Sequence, residues 1–411
     1  MVLSTSSRRS IALLFTTRSV RLFAYGLLSV VLVLYLVQVG LSEREVGLLL
    51  TLTLAGDAIV SLWLTTNADR IGRKRMLIIG SALVIFSGVV FLFTHSIVLL
   101  IAAAIIGVIS PSGNEIGPFL PIEQAALSQL LPDDQRTQTF AWYNLAGSVA
   151  TAFGALISGG LTQLLQSRGM SALEAYRVVL TAYAASGVVL VMLFALLEPI
   201  IEATPMVQPV THRFGLSPAS RSVIARLSAL FALDAFAGGL VLQSLIAYWF
   251  NLKFGVQPAL IGAIFFGANI LAGISALSAA RIARRFGLIN TMVFTHLPSN
   301  ILLMLVPLMP TLPLAIVVLL LRFSISQMDV PTRQSYTAAV VKPDERSAAA
   351  GITGIARSVG VSIAPILTGL FLSNPLLLSV PFFLGGGLKV VYDLLLYRSF
   401  KATRPPEEIK R

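Results

Sequence analysis

The chain has 411 residues, of which 56% are hydrophobic and 12% charged, and its formal net charge is +12. A soluble domain carries about 25% charged residues because water must solvate its surface, so this composition excludes an ordinary soluble protein and indicates lipid as the solvent. The basic residues lie in short groups between apolar runs, which argues against nucleic-acid binding. Cysteine is absent and the three histidines are far apart, so we expect no metal site and no cofactor.

The chain starts with a short basic segment. Arg18 and Arg21 interrupt the run after Arg8 and Arg9, so the pattern predicts no cleavable signal peptide and a first spanning helix over Leu22–Val39. A hydrocarbon core of about 30 Å needs about 20 helical residues, and about twelve apolar runs reach this length. Because they lack the alternation of barrel strands, they predict helices. The other runs are Val46–Thr66, Leu77–Phe93, Ile97 towards Leu131, Ala141–Leu165, Tyr176–Leu197, Leu227–Phe250, Leu260–Ala280, Thr291–Met309, Leu312–Ala339, Ala349–Leu372 and Leu376–Tyr397.

The placement of basic residues predicts the orientation. With both termini in the cytoplasm, most of the 30 Lys and Arg residues fall in inner segments. The outer loops then hold Arg44, Arg168, Arg177 and Lys253. We therefore expect a multi-pass protein of the cell (inner or plasma) membrane with cytoplasmic N- and C-termini.

An internal repeat divides the chain. The segment Glu198–Ser222 is the longest polar stretch, and sequence features recur in the same order on either side of it: Pro121 and Gln124 recur as Pro331 and Gln334. Repeats of this kind are common in secondary transporters, with the substrate site between the halves. The repeat predicts an all-α integral membrane fold of two pseudo-symmetric six-helix bundles. The expected boundaries are 1–197 for the first bundle, 198–222 for a cytoplasmic linker and 223–411 for the second bundle.

The predicted loop between the second and third spans carries a recognisable motif. It reads Asp69-Arg70-Ile71-Gly72-Arg73-Lys74, preceded at the first motif position by Thr65. Over its whole length the chain resembles the major facilitator superfamily, whose signature in this loop is Gly-x-x-x-Asp-(Arg/Lys)-x-Gly-(Arg/Lys)-(Arg/Lys). The resemblance implies that Asp69, Arg70, Gly72 and Arg73 form a cytoplasmic gate, in which Asp69 accepts hydrogen bonds at the positive end of a second-half helix. Topogenic charge alone would explain Arg73, but not Asp69 and Gly72 together.

A second family pattern is less complete. Many proton-coupled drug exporters carry Gly-Pro-x-x-Gly-Gly in the fifth helix, where this chain has Gly154 and Gly159 without the proline. The matching stretch of the eleventh helix keeps Pro365. Small residues here also fit ordinary close helix packing, so the pattern favours export without deciding it.

Ionisable residues inside spans cost about 2.5–3.5 kcal/mol each and indicate functional positions. Asn114 and Glu115 lie in a proline- and glycine-rich part of the fourth span, which predicts a discontinuous helix with free backbone groups, or alternatively a simple kink. Arg322 lies near the middle of the tenth span, and we hypothesise that it faces one central cavity with Glu115. Asp57 and Asp234 are candidate proton sites or structural hydrogen-bond acceptors.

Five further ionisable residues have other assignments. Lys389 and Asp393 are spaced i,i+4, which predicts a neutralising pair on one helix face. Glu123 and Arg333 occupy matching places in the two halves and are expected to meet the gate. Arg357 fits a cavity role and a packing role equally.

Together these features predict a secondary active transporter of a small organic solute, working by alternating access and coupled to protons in the direction of efflux. Uptake or facilitated diffusion of a metabolite is the alternative, and a non-transporting membrane sensor is a weaker one. The expected partners are the solute, protons and the lipid bilayer, with the chain a monomer and not an enzyme. Since the spans carry neither a nucleotide-binding loop nor a catalytic triad, the gradient of an ion is the expected drive.

Overall fold

The computed structural model describes residues 5–113, 117–202, 216–342 and 345–401, and within these ranges the regular structure is helical. Eleven helical segments are long and apolar enough to cross a membrane, and the shorter helix Ile97–Ile106 adds a twelfth apolar segment. Two of the eleven, Ser220–Phe254 and Leu312–Ala339, each contain two consecutive helices. The predicted all-α membrane fold is confirmed. The helices are α1 Thr5–Gln38, α2 Glu43–Ile71, α3 Arg73–Phe93, α4 Ile97–Ile106, α5 Phe119–Leu130, α6 Asp133–Ser167, α7 Ala172–Ala195, α8 Pro218–Gly239, α9 Gln243–Phe254, α10 Pro258–Phe286, α11 Leu288–Leu305, α12 Leu312–Ile325, α13 Asp329–Ala339, α14 Arg346–Leu372 and α15 Val380–Phe400.

Two spans begin at capping boxes. Ser42 caps α2 and Ser171 caps α7, and in each case the glutamate three residues later, Glu45 or Glu174, accepts from the backbone N–H of the serine. The first N–H groups of a helix have no partner inside the helix, and the reciprocal bonds satisfy them. These polar pairs therefore fix where two membrane helices start.

Three spans are broken into two helices. α4 ends at Ile106 and α5 begins at Phe119, a short break separates α8 from α9, and another separates α12 from α13. In the longest break Gly113 and Gly117 have φ angles of +67° and +88°, which a side chain would disfavour. Thr151 Oγ1 donates to the carbonyl of Gly113 at 3.2 Å, so side chains replace part of the lost helical hydrogen bonding.

The chain forms two compact units. Unit 1 consists of Met1–Pro205 and Leu242–Ile270, and unit 2 of Met206–Val241 and Leu271–Arg411. In unit 1, α1 is buried along most of its length and packs on α6 and α7. In unit 2, α8 packs on α14 and α15, and α11 packs on α15. The predicted bundle boundaries at 197 and 223 stay a prediction; unit 1 also includes the segment 242–270.

Glycine permits close helix contacts on α6. A side chain on Gly154 would place its first carbon 2.1 Å from the carbonyl oxygen of Phe23 on α1, and one on Gly159 would lie 2.2 Å from that of Pro258 on α10. Both distances are below van der Waals contact, so any larger residue would push the helices apart. The small residues of the incomplete exporter pattern thus have a packing role within unit 1.

Candidate functional site

Ionisable side chains from five helices meet inside unit 2. Asp234 of α8 is at their centre, and its Oδ1 accepts from Lys389 Nζ of α15 at 2.5 Å. Its Oδ2 accepts from Arg357 Nη1 of α14 at 3.0 Å and from Arg333 Nη1 of α13 at 3.4 Å. Arg333 also donates to Asp329 Oδ2, one turn earlier, at 2.8 Å. We call the following set the acid–base cluster: Asp234, His296, Asp329, Arg333, Arg357, Lys389 and Asp393.

A histidine joins two carboxylates of this cluster. His296 Nδ1 on α11 lies 2.9 Å from Asp393 Oδ1, and its Nε2 lies 3.9 Å from Asp234 Oδ1. Asn300, one turn after His296, donates to Asp393 Oδ2 at 2.9 Å. The Nδ1–Oδ1 contact needs one proton, which either group can carry. The imidazole therefore lies between two carboxylates, one on α15 and one on α8.

The close approach of α14 to α8 positions Arg357. A side chain on Gly360 would place its first carbon 2.3 Å from the carbonyl oxygen of Ala232, so the two helices touch through backbone at this level. Since Arg357 is nearly one turn before Gly360 and Asp234 two residues after Ala232, the guanidinium comes within hydrogen-bond distance of the carboxylate. The ring of Phe231 lies 5.6 Å from the Arg333 guanidinium and adds a cation–π contact.

The cluster is neutral when His296 is neutral, because it then contains three carboxylates and three cations. A charge at mid-membrane is costly, and pairing is what makes it tolerable. Removing or adding one charge leaves a partner unpaired in a medium of low dielectric. Protonation of any carboxylate or of the imidazole therefore forces a rearrangement of the pairs.

One member of the cluster is much more accessible than the others. The side chain of Arg357 is 33% exposed, whereas those of Asp234 and Lys389 are 4% and 9% exposed. Gly354, one turn earlier on α14, has no described atom within 4 Å of the position its side chain would occupy. Arg357 thus lies between the buried acids and open space on this face of α14.

Unit 1 contains a smaller buried ion pair. Arg21 Nη1 and Nη2 of α1 donate to Glu123 Oε1 and Oε2 of α5 at 2.8 and 2.7 Å, and both side chains are fully buried. Tyr143 of α6 donates to Glu123 Oε2 at 2.5 Å, and Thr17 donates to Oε1 at 3.2 Å. Both oxygens of the carboxylate therefore accept from the Arg21 fork, and Oε2 also accepts from Tyr143, so we assign this pair a structural role.

Asp57 has a different environment from Asp234. It is 8% exposed, and its Oδ2 accepts from the backbone N–H of Gly117 at 3.2 Å. Ser61 Oγ donates to Oδ1 at 3.4 Å. Asp57 therefore holds the irregular backbone between α4 and α5, which supports the structural one of its two predicted roles.

The predicted pair of Glu115 and Arg322 has one described member. Asn114 and Glu115 lie outside the described residues, so their predicted place in a substrate or proton pathway stays a prediction. Arg322 on α12 lies over the ring of Phe323, 4.9 Å from its centroid. Its Nε is buried and, among the described residues, has no hydrogen-bond partner.

The α2–α3 loop binds a glutamate that follows α7. Glu202 accepts from the backbone N–H groups of Arg73 at 2.6 Å and Lys74 at 3.3 Å, where α3 begins. Arg73 Nε donates to Asp69 Oδ1 at 2.8 Å, and Lys74 Nζ donates to the carbonyl of Ala195 at 2.7 Å. The loop is thus attached to the end of its own unit, with a carboxylate at the positive end of α3.

The other predicted gate residues lie where α2 meets α3: Asp69 and Arg70 are in the last turn of α2, and Gly72 is the one residue between the two helices. Arg70 is exposed, and Gly72 has a φ of +120° that joins α2 to α3. The side chain of Asp69 is 67% exposed. Its predicted contact with a second-half helix stays a prediction.

The structure gives several residues partners other than the predicted ones. Lys389 bonds Asp234 and Asp393 bonds His296, so each member of the i,i+4 pair contacts another helix. Glu123 and Arg333 lie in the buried groups of their own units. His296 was not singled out by sequence reasoning, and the signal that could have found it is its place inside the predicted span Thr291–Met309.

Comparisons with known proteins agree with this architecture. The family profile described as "Major Facilitator Superfamily" matches residues 14–365 and 253–411. The chain is 32% identical over 418 residues to "Uncharacterized membrane protein YJR124C" of Saccharomyces cerevisiae, covering 94% of this chain and 93% of that one. It is 26% identical over 139 residues to "Quinolone resistance protein NorA" of Staphylococcus aureus, covering 34% of each.

Solved structures of low sequence identity share the fold. The nucleoside transporter NupG superposes with a TM-score of 0.72 at 14% identity, covering 97% of this chain and 100% of that one. A D-xylose-proton symporter superposes with a TM-score of 0.70 at 15% identity, covering 94% and 97%.

Proposed function

Because this chain belongs to the major facilitator superfamily, we propose that it is a proton-coupled secondary transporter that moves a small organic solute across a membrane by alternating access. The observation that carries the proposal is the acid–base cluster around Asp234. The net charge of the cluster is zero when its three carboxylates are ionised and His296 is neutral, and one added proton makes it positive. A transporter coupled to protons needs such a group, whose protonation changes the relative stability of two conformations.

The cluster couples a proton to conformation through its pairing. Asp234 connects α8 to α13, α14 and α15 by hydrogen bonds. Protonation of Asp234, or of His296 beside it, weakens these connections and changes the packing of four helices at once. A shift from 1:99 to 99:1 between two conformations needs about 5.5 kcal/mol of differential binding. A buried charge that loses its partner costs about 3–5 kcal/mol, so one protonation event supplies most of such a shift.

The α2–α3 loop is proposed as the gate on the cytoplasmic side. Glu202 fixes the start of α3 through Arg73 and Lys74, so movement of the loop is tied to the segment after α7. The orientation with cytoplasmic termini, inferred from the basic residues, places this loop inside the cell.

Export and uptake of the solute are each supported by a specific observation. Export of the solute in exchange for protons is favoured by the similarity to the quinolone resistance protein and by the partial helix-5 pattern. Uptake together with protons is favoured by the composition of the cluster, because protonating a carboxylate that three cations surround releases a cation. The two differ in whether protons and solute move in opposite directions or in the same one.

The test is flux in proteoliposomes. Compounds that stabilise the purified protein in a thermal-shift screen are loaded inside or outside vesicles, and their movement is followed with and without an imposed pH gradient. Proton-coupled transport predicts accumulation against a concentration gradient, with export or uptake read from its direction. Movement that equalises concentrations regardless of the pH gradient would identify a facilitator and reject the proposal.

A further inference from the structure

We propose that Arg357 binds an anionic group of the transported solute, and that protonation of the Asp234–His296 part of the acid–base cluster makes it available. The substrate class is an organic anion such as a carboxylate, phosphate or sulfonate. This inference rests on the proposed proton coupling and selects transport of solute and proton in the same direction.

The position of Arg357 is the first argument. A guanidinium inside a membrane span faces protein or water, because exposure to lipid is too costly. Arg357 is buried against Asp234 on one side, and its side chain is 33% exposed on the other. The open position beside Gly354 continues this exposed face along α14. Arg357 is therefore the member of the cluster that a solute in an aqueous cavity can reach.

The geometry of the guanidinium is the second argument. Within the described part of the chain, Arg357 donates one hydrogen bond, from Nη1 to Asp234 Oδ2. Its remaining donors form the planar fork that matches carboxylate and phosphate oxygens. An ammonium or an uncharged solute gains nothing comparable from this group. The fork thus favours an anion over isosteric neutral or cationic solutes.

The charge balance gives the coupling. Arg357 pairs directly with Asp234 on α8. The other charged and titratable groups joined to Asp234 or to its partners are Asp329 and Arg333 on α13, Lys389 and Asp393 on α15, and His296 on α11. Tyr392 of α15, an uncharged phenol, lies 5.9 Å from the His296 ring. With a neutral imidazole the sum is zero, so a bound anion alone leaves one negative charge in excess. One added proton, on Asp234 or on His296, restores neutrality, and a monovalent anion and a proton therefore stabilise each other's binding.

The same sum of charges argues against the exchange of a proton for a solute at this site. Exchange requires that the proton and the solute compete, as a cation and a proton do at a free carboxylate. Asp234 is not free, because Lys389, Arg333 and Arg357 all lie within 4 Å of it. A cationic solute would have to displace all three cations from Asp234. An anionic solute needs only Arg357 to turn from Asp234 towards the solute.

The experiment compares matched solutes at two pH values in the purified full-length chain. The probes are benzoate, succinate and glucose 6-phosphate, with benzamide, succinamide and glucose as neutral controls and benzylamine as the cationic one. We expect at least one anion to stabilise the protein and to bind about tenfold tighter at pH 5.5 than at pH 7.5, a difference of about 1.4 kcal/mol. Stabilisation by benzylamine or by the neutral controls alone, or by none of the probes, would overturn the inference.

Variants separate binding from folding. Arg357→Gln should remove the anion-dependent stabilisation, and Arg357→Lys should restore part of it, since a lysine keeps the charge but not the fork. Arg346→Gln is the matched control: Arg346 is exposed at the start of the same helix, and its Nε donates to the carbonyl of Ala338. If Arg357→Gln and Arg346→Gln bind the anion equally, Arg357 is not the binding residue.

Flux distinguishes this inference from the proposed function. In proteoliposomes an inward pH gradient should drive uptake of the stabilising anion, and a potassium diffusion potential alone should not, because one proton accompanies each monovalent anion. Accumulation of a neutral or cationic solute in exchange for protons would refute the anion site and leave proton coupling intact. Transport of any solute without response to the pH gradient would refute both.

Discussion

Arg21 and Glu123 in unit 1 form the same helix-to-helix ion pair that Asp234 and Arg333 form in unit 2, with the two charges exchanged. Arg21 donates to both carboxylate oxygens of Glu123, whereas Arg333 reaches Asp234 at 3.4 Å and shares it with other cations. The unit 1 pair is closed and bidentate, and the unit 2 pair is part of a network. We take the first to be structural and the second to be the responsive one.

The buried ion pair of Arg21 and Glu123 predicts that removing one of its charges lowers the stability of the protein strongly. Glu123→Gln leaves Arg21 as an uncompensated buried cation, which should destabilise the protein by about 3–5 kcal/mol. Thermal unfolding in detergent, followed by intrinsic fluorescence, measures the loss. The double variant Arg21→Met with Glu123→Leu removes both charges and should recover most of the stability. A double variant as unstable as the single one would show that the charges themselves are needed.

Part of this arrangement could be predicted from the sequence. Arg21 precedes Tyr35 by fourteen residues and Asp234 precedes Tyr248 by fourteen, while Glu123 and Arg333 each follow a repeated proline by two. The repeat therefore identifies which residues occupy matching positions in the two halves. The apolar runs identify the membrane spans, because the thickness of the membrane sets the length of a spanning helix. The repeat does not show which charged residues form ion pairs with each other.

The partners depend on packing between helices that are distant in sequence. Lys389 has a carboxylate four residues away, and local spacing favours that partner, yet it bonds Asp234, which is 155 residues distant. Which helix approaches which is decided by small residues such as Gly360 against Ala232. One chain without its relatives does not reveal that contact.

Glu345 predicts a pH-dependent loss of stability outside the membrane spans. Its carboxylate accepts from Ser220 Oγ at 2.5 Å and from the backbone N–H of Ser217 at 2.6 Å, at the start of α8. The Ser220 hydroxyl, and then the backbone N–H groups of Ser217 and Lys342, lower the pKa of Glu345 from 4.5 to about 2. A lowered pKa gives stability that is complete above the unfolded value and is lost as the pH falls towards the folded one.

The measurement compares the wild type with Glu345→Gln between pH 7 and pH 3. The variant should be less stable at pH 7, and the difference should shrink as the pH falls below about 4.5. Ser220→Ala removes the largest cause of the shift and should move the loss to higher pH. A stability difference that stays constant with pH would contradict the assignment.

The orientation can be tested because the chain contains no cysteine. Arg168 and Arg284 are both exposed, and the positive-inside rule places Arg168 outside and Arg284 inside. In intact cells a membrane-impermeant maleimide should label the Arg168→Cys variant, and it should label the Arg284→Cys variant only after permeabilisation. The opposite pattern would invert the proposed topology and put the α2–α3 loop on the outer side.

The gate proposal predicts that Glu202 controls the α2–α3 loop. Glu202→Gln keeps one of the two acceptor oxygens but removes the charge at the start of α3, where helix-terminal interactions contribute about 0.3–1 kcal/mol. We expect faster proteolysis or labelling of the loop and a changed rate of transport, with the fold retained. Glu198→Gln is the matched control, because the described partners of Glu198 are Ser6 and Arg9 on α1. Equal effects of the two variants would remove Glu202 from the gate.

Asp57 and Asp234 are the two described carboxylates proposed for the proton, and their surroundings separate them. Asp57 accepts from a backbone N–H and a serine, and a neutral amide oxygen can replace it there. Asp234 balances cations, and an amide cannot. We therefore expect Asp57→Asn to keep transport driven by a pH gradient, within about fivefold of the wild type, since a hydrogen bond is worth about 1 kcal/mol.

Asp234→Asn should abolish gradient-driven accumulation while the protein still folds, as judged by size-exclusion chromatography. Lys389 then loses its partner, and Asp234→Asn combined with Lys389→Met should restore stability without restoring coupling, because the titrating group is gone. The readout is solute-dependent proton movement in proteoliposomes containing a pH-sensitive dye. If Asp57→Asn loses the signal and Asp234→Asn keeps it, the proton site lies in unit 1, and the acid–base cluster is a structural element of unit 2.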